Sequence, residues 1–239
     1  MKRSFLLQYL IVTALVAVLP SCVSYNAEPF TGKILPRPTG YINGVTNDWL
    51  YINLRTGKTY NEEAPNREVI EGNQKKGSVA MDWDIAFCGY RLRTNSGSSG
   101  IGKGGAADLG YGNYNRWTTK QQVMNKTFVP DNDSTIAVTM SERDWQRQLI
   151  KEGKDPSLYP WFDPNRGPAT QITSANPVLC EAISFAGPPP VYTLSYHTYV
   201  VRTADGERYF KIQLVSWRAP NAQIGGEGGR ICYYVNELK

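Results

Sequence analysis

Histidine is almost missing from this chain: there is one, His197, among 239 residues. That scarcity excludes a metal centre built on several histidines. No Gly-x-Ser-x-Gly or comparable nucleophile motif stands beside His197, so acyl-transfer chemistry has no obvious base. Charge of one sign is also scarce in runs. The formal net charge is +5, from 26 Lys and Arg against 21 Asp and Glu. No basic cluster stands out, and neither nucleic acid nor an acidic lipid surface is an evident partner. No segment repeats at a fixed period. The longest apolar run, Phe5 to Pro20, is broken by Gln8, Tyr9 and Thr13. It falls short of the roughly 20 mainly apolar residues of a spanning helix.

What that run does have is context. It follows Met1-Lys2-Arg3 and ends in Leu19-Pro20-Ser21-Cys22, a positive start and an apolar middle in the layout of a secretory leader. The ending resembles the bacterial lipobox, in which the cysteine becomes the new N-terminus. Residues 1–21 therefore read as a lipoprotein signal peptide, with Cys22 as the lipidated residue. Each buried acyl methylene contributes about 0.8 kcal/mol, so two or three chains hold a protein on a membrane without a spanning helix. Removing 21 of 239 residues leaves 218, and losing Lys2 and Arg3 lowers the charge from +5 to +3. That length suits one domain with a real core. With Cys22 acylated, Cys88, Cys180 and Cys232 remain. An exported compartment permits one disulfide among them, and the spacing does not choose the pair.

Residues 22–45 carry Asn, Pro, Thr and Gly without a sustained period and read as a flexible tether, which puts the β-rich domain at 46–239. Trp49 to Leu54 is aromatic and branched, meets Arg55-Thr56-Gly57-Lys58 and returns at Thr59-Tyr60, a hairpin signal. Asp82 to Arg93 alternates, with Trp83, Ile85 and Phe87 on one face, and predicts one central strand. Residues 94–115 are glycine-rich and predict a loop. Thr135 to Met140 alternates again, Ile136, Val138 and Met140 sharing a face. Ser141 with Asp144 resembles a capping box, and Trp145, Leu149 and Ile150 recur at helical spacing up to Gly153, giving one short amphipathic helix. Residues 153–177 are rich in Pro, Asp, Asn and Gly and predict irregular chain. Strands are expected at 178–185, 191–202, 207–217 and 230–237. Asp205-Gly206 suits a two-residue type I′ turn between two of them. The predicted fold class is all-β: an antiparallel sandwich or open barrel with one short helix and long Gly/Pro-rich loops.

Three features look like chemistry. Gly97-Ser98-Ser99-Gly100-Ile101-Gly102-Lys103-Gly104 matches a phosphate-binding loop except at the last position, where Gly104 replaces the magnesium-ligating Ser or Thr. The residues after it are poor helix formers, so the helix N-terminus that would bind phosphate is missing, and a structural glycine loop is the better reading. Asp82 and Asp84, two apart on a strand, would lie roughly 7 Å apart on one face, a spacing a glycosidase could use. Trp83 and Ile85 mark that strand as half-buried, and Arg91 or Arg93 could pair with either acid. An enzyme is therefore not expected. Binding is. Tyrosine-rich strands with long loops can line a cleft for a flat apolar ligand, and haem, held by axial His, Met or Tyr, is one. The candidate ligands are His197, Met140, Met124 and Met81. Each has a plainer role open to it, Met140 as a core residue and His197 as a hydrogen-bonded strand residue.

Asp82-Trp83-Asp84-Ile85-Ala86-Phe87, then Arg91 to Gly100 and Gly102-Lys103-Gly104-Gly105-Ala106, resemble the HmuY family of surface lipoproteins. Gly187-Pro188, Tyr192-Thr193-Leu194-Ser195 and Val200 to Gly206 continue the match in the same order, and the Trp49 to Gly57 hairpin also fits. The resemblance implies a haem cleft in an all-β fold, displayed on the outer membrane as a haemophore that passes haem to an outer-membrane transporter. It also implies two iron ligands, His in some members and Met in others. One lies just before the Gly-Pro pair, where this chain reads Ser184-Phe185-Ala186-Gly187-Pro188 with neither. For the other, Met140 is the nearest counterpart. The expectation is a haem or tetrapyrrole binder with fewer or different ligands, such as Met140 with water or a tyrosine, Met140 and His197 being the candidate residues. The alternatives are the same fold with another ligand, or a structural or adhesive lipoprotein with none.

Overall fold

The computed structural model describes residues 29–36, 49–59, 80–133, 137–140, 142–172, 174–186, 191–219 and 228–239. The leader, Cys22, Tyr60, Thr135, Ile136, Ser141 and the Gly187-Pro188 pair lie outside the described residues. In chain order the first strands are β1 (Lys33–Ile34), β2 (Leu50–Ile52), β3 (Ile85–Cys88), β4 (Arg91–Thr94), β5 (Gly105–Tyr111) and β6 (Ala137–Thr139). The helix α1 (Glu142–Lys151) follows, then β7 (Phe162–Asp163), β8 (Gly167–Pro168) and β9 (Thr170–Ile172). The last are β10 (Ile183–Ala186), β11 (Val191–Leu194), β12 (His197–Arg202), β13 (Tyr209–Arg218) and β14 (Gly228–Glu237). The larger sheet has the order β1-β14-β13-β12-β5 and a smaller one the order β2-β3-β4, while β10-β11, β6-β9 and β7-β8 are separate pairs. The strand pairings are antiparallel.

The two larger sheets pack face to face. Leu50, Ile52, Ile85, Phe87 and Leu92 from one meet Tyr199, Val201, Ile212, Leu214, Ile231 and Tyr233 from the other in one buried cluster. These residues recur at every second position, as the pleat demands. Burying each large apolar side chain contributes about 1.5–3 kcal/mol. The outer faces are covered too. Val123, Trp117 and Phe128 pack over Ala107, Leu109, Val200 and Tyr209 of the larger sheet. Trp49, Trp83 and Ala175 cluster with Tyr51, Ala86 and Cys88 of the smaller. Arg93 shares that face, its guanidinium 3.6 Å from the centre of the Trp49 ring. The fold is a sandwich, not a barrel.

Side chains close the free edge of β4. Leu92 N donates to Cys180 Sγ, while Leu92 O accepts from Asn176 N at 2.9 Å. One residue pair further on, Thr94 N donates to both Asp131 oxygens, at 3.1 and 2.9 Å. A buried strand edge needs such partners because its unpaired amides have no water.

Several local expectations change under tertiary packing. The span 82–93 is not one strand: Gly89, with φ +56, turns it into the β3–β4 hairpin, as glycine first in a two-residue loop allows. Part of the expected glycine loop is strand β5, because β12 supplies its hydrogen-bonding partner. The segment read as a tether contributes β1, which pairs with β14, and Leu35 behind it is fully buried. Asp205-Gly206 makes no type I′ turn. Only Gly206 has positive φ, +84, and the connection runs from Thr203 to Arg208, with Gly206 N donating to Thr203 O. The expected strand 191–202 breaks at Ser195-Tyr196, where the chain passes from the β10-β11 pair to the larger sheet.

Helix α1 ends as expected at Gly153 (φ +71), with Gly153 N donating to Ile150 O and Lys154 N to Leu149 O, a Schellman ending. Of its expected apolar face Leu149 is buried, but Ile150 is 65 % exposed. Cys88, Cys180 and Cys232 are free thiols. Cys180 is held at the β4 edge, and Cys232 Sγ donates to Arg218 O.

Candidate functional site

The near phosphate-binding loop is a clasp around one asparagine. Asn95 is fully buried; its Nδ2 donates to Ala80 O and Trp83 O, and its Oδ1 accepts from Gly102 N at 3.0 Å. A Cβ on Gly100 would stand 2.2 Å from Asn95 Oδ1, and on Gly102 or Gly104 2.6 Å from Asn95 O. The glycines are there because the loop closes on this residue, and strand β5, not a helix, follows. Asp82 and Asp84 part company as well. Asp84 is fully buried, accepting from Leu54 N, Arg55 Nε and Ala204 N, while Asp82 is exposed. They form no catalytic pair. Among the described residues no group of His, Cys, Asp and Glu could hold a metal ion.

The two candidate haem ligands sit on different sheets. Met140 directly follows β6 and is 3 % exposed; its N donates to Ala169 O and its carbonyl accepts from Trp161 Nε1. His197 opens β12 at the larger sheet, half-buried, with Nδ1 2.8 Å from Asp108 Oδ2 on β5. This contact orients the ring, and in a neutral imidazole that donates through Nδ1 the Nε2 atom is the acceptor. The His197 ring lies over Tyr199, centroids 6.2 Å apart. Tyr199 itself is buried, its hydroxyl 3.0 Å from Ser195 Oγ, and burial pushes its pKa up to about 12. Met81 and Met124 are exposed at the surface.

An open cleft of about 360 Å³ lies elsewhere, between β11, the Ser195-Tyr196 break and the C-terminal half of β13. Its walls include Tyr192, Leu194, Tyr196, Val215, Trp217 and Arg218. Tyr192 stacks on Trp217 with centroids 4.2 Å apart and planes 13° from parallel. Trp217 can sit where it does because Gly228 faces it, where a Cβ would stand 2.5 Å from the indole nitrogen. Across the β10–β11 pair Phe185 meets Tyr192 at 5.3 Å, and Tyr90 stacks on Phe185 at 5.7 Å, so the aromatic surface runs on past the cleft. Phe185, Val191 and Tyr196 are about half exposed, an apolar patch of the kind that marks a binding surface. Arg218 stands exposed at the cleft, and its guanidinium has no ion pair among the described residues.

Tyr196 has φ +54, and its carbonyl accepts from Gly112 N at 3.0 Å and Gln213 Nε2 at 2.8 Å. Neither Met140 nor His197 lines this cleft. Residue-type reasoning missed Tyr196, Trp217 and Arg218. Tyr192 carried a signal through the Tyr192-Thr193-Leu194-Ser195 stretch.

Comparison with known proteins agrees with the architecture. Residues 45–233 match the family described as HmuY protein. No curated protein matches the chain. Among solved structures, apo PinO from Porphyromonas gingivitis is 17% identical, with a TM-score of 0.51 over 87% of this chain and 99% of that one. A candidate HmuY-like heme binding protein from Bacteroides vulgatus is 21% identical, with a TM-score of 0.46 over 79% of this chain and 84% of the other. A candidate lipoprotein from Bacteroides fragilis is 19% identical, with a TM-score of 0.46 over 80% of this chain and 86% of its counterpart. At such identities the likeness is one of fold.

Proposed function

The chain belongs to the HmuY family, and on that premise we propose that it is a lipid-anchored surface protein that binds haem or a related tetrapyrrole in the β11–β13 cleft. The observation that carries the reading is the Tyr192–Trp217 stack beside Arg218 in one open cleft. Aromatic faces suit a flat conjugated ring. An exposed guanidinium suits a carboxylate edge, where it can donate two parallel hydrogen bonds. The donor set therefore fits a ring that is apolar on its faces and anionic at one side. Bound haem would bring its iron; the chain's own part is to stack, to exclude water and to neutralise the carboxylates.

Anchorage through Cys22 on the outer membrane, after removal of residues 1–21, belongs to the same proposal and rests on the Leu19 to Cys22 motif. So does an outer-membrane haem transporter as the partner that takes the ligand on. His197 and Met140, the ligands expected from residue type, stand outside this cleft and on unequal footing. Asp108 on Nδ1 orients the His197 ring and leaves Nε2 available, whereas Met140 would have to leave its buried setting. A second reading, the same fold serving a different ligand, is favoured by Ala186. That position ends β10 and offers no metal donor.

The test is a ferric haemin titration of the full chain in detergent, followed by absorbance, with M140A and H197A alongside. A saturable Soret shift near one equivalent is expected in all three proteins, and its loss in either variant would name that residue as a ligand and move the site away from the cleft. A spectrum no different from haemin mixed with an unrelated protein would leave the second reading, or an adhesive role.

A further inference from the structure

We infer that Tyr196 is the iron ligand of the cleft, binding ferric haem through its phenolate oxygen; the inference rests on the tetrapyrrole reading above. Three observations converge on this side chain. It lines the cleft, where no histidine or methionine does. The residue is about half exposed, and its hydroxyl has no hydrogen-bond partner among the described residues, unlike that of Tyr199 three residues on. Its backbone is held at φ +54, a conformation that a bulky residue adopts only under constraint.

The constraint is visible. Gly112 N and Gln213 Nε2 both bind the Tyr196 carbonyl, one from the end of β5 and the other from β13, and so fix the peptide that follows the strained residue. Ser195, next to it, donates its N–H to Ala182 O. A glycine or asparagine would take this conformation at lower cost, yet the position carries a large phenol in the lining of the cleft. Strain held by surrounding structure is the usual mark of a ligand clamp. A tyrosine oxygen is an established type of axial haem ligand.

The binding step balances simply. Ferric haemin gives up its chloride while the phenol O–H gives its proton to solvent, or gives up hydroxide that leaves with that proton as water, and an iron–oxygen bond forms. Reduction to ferrous iron, a poorer partner for an anionic oxygen, should weaken the binding.

The experiment compares the full chain in detergent with Tyr196→Phe and Tyr196→Gly, using ferric haemin and metal-free protoporphyrin IX as probes. Wild type should show a phenolate-to-iron charge-transfer band in the visible. Tyr196→Phe should lose that band and bind haemin about tenfold more weakly, an effect of about 1.4 kcal/mol, while holding protoporphyrin as before. Tyr196→Gly should lose the band yet melt at a higher temperature, because the strain is gone; that combination separates lost ligation from lost folding. If Tyr196→Phe keeps the wild-type spectrum and affinity, the tyrosine's role is overturned and the cleft reading stands. If wild type binds neither probe, the cleft reading falls and this inference falls with it.

Discussion

Asp84 accepts from Leu54 N at 2.8 Å, Arg55 Nε at 3.3 Å and Ala204 N at 2.9 Å, with no exposed surface of its own. Arg55 in turn reaches Asp205 at 2.9 Å. One carboxylate thus ties the turn after β2, the start of β3 and the β12–β13 connection together. Removing it strands an arginine and two amides, so Asp84→Ala should cost about 3–5 kcal/mol of unfolding free energy, measured by denaturant titration. Asp131 behaves differently. It is 4 % exposed, and burial pushes its pKa up to about 6, although Thr94 N, Thr94 Oγ1 and Asn176 Nδ2 all donate to it and partly offset that shift. A carboxyl whose folded pKa is raised favours the native state below its unfolded value near 4. That advantage fades as pH rises through about 6. Stability should therefore fall between pH 4 and 6, by an amount on the order of 2–3 kcal/mol. In Asp131→Asn this part of the pH dependence should flatten.

At the level of elements, the glycine clasp makes a sharp steric prediction. A Cβ on Gly102 would stand 2.6 Å from Asn95 O and 3.0 Å from Ala204 Cα, both backbone atoms that cannot swing away. Gly102→Ala should cost about 1–3 kcal/mol, read as a lowered Tm with an unchanged far-ultraviolet spectrum. The β10–β11 pair lies at the other extreme, with Ser184, Phe185 and Ala186 all exposed. Its amides should exchange with deuterium well before those of β13 and β14, whose ten-residue strands share the central core.

How much of this was legible varies with the kind of signal. The Trp49 hairpin, the α1 helix ending at Gly153 and the alternation of the late strands could be read locally, because turn glycines and period-two patterns act over a few residues. β5 could not: Gly105-Ala106-Ala107 has no strand propensity of its own, and β12 makes it a strand. Nor could the cleft. Tyr196 owes its conformation to Gly112 and Gln213, the latter 17 positions away, and Trp217 owes its place to Gly228. Histidine and methionine drew attention by residue type, whereas the phenol that faces the cleft looked like one of 15 tyrosines.

Across the whole molecule, the three described cysteines bear on how stability responds to redox conditions. Cys88 and Cys232 are buried and Cys180 half-buried, and none is bridged. Burial pushes the Cys180 thiol up to about 11, which keeps it protonated and unreactive. Tm should then be the same with and without reductant, and thiol reagents should label the folded chain only as fast as it opens. A reductant-dependent Tm would show that a disulfide forms after all.

The closed edge of β4 has a consequence for proteins crowded in a plane. Copies held side by side on a surface meet far more often than copies free in solution, and an open strand is a template for stacking one chain on the next. Cys180, Asn176 and Asp131 occupy the outward-facing amides and carbonyls that a neighbour would otherwise use. Loss of these plugs would show first as self-association, with copies adding strand to strand, before the sandwich itself melted.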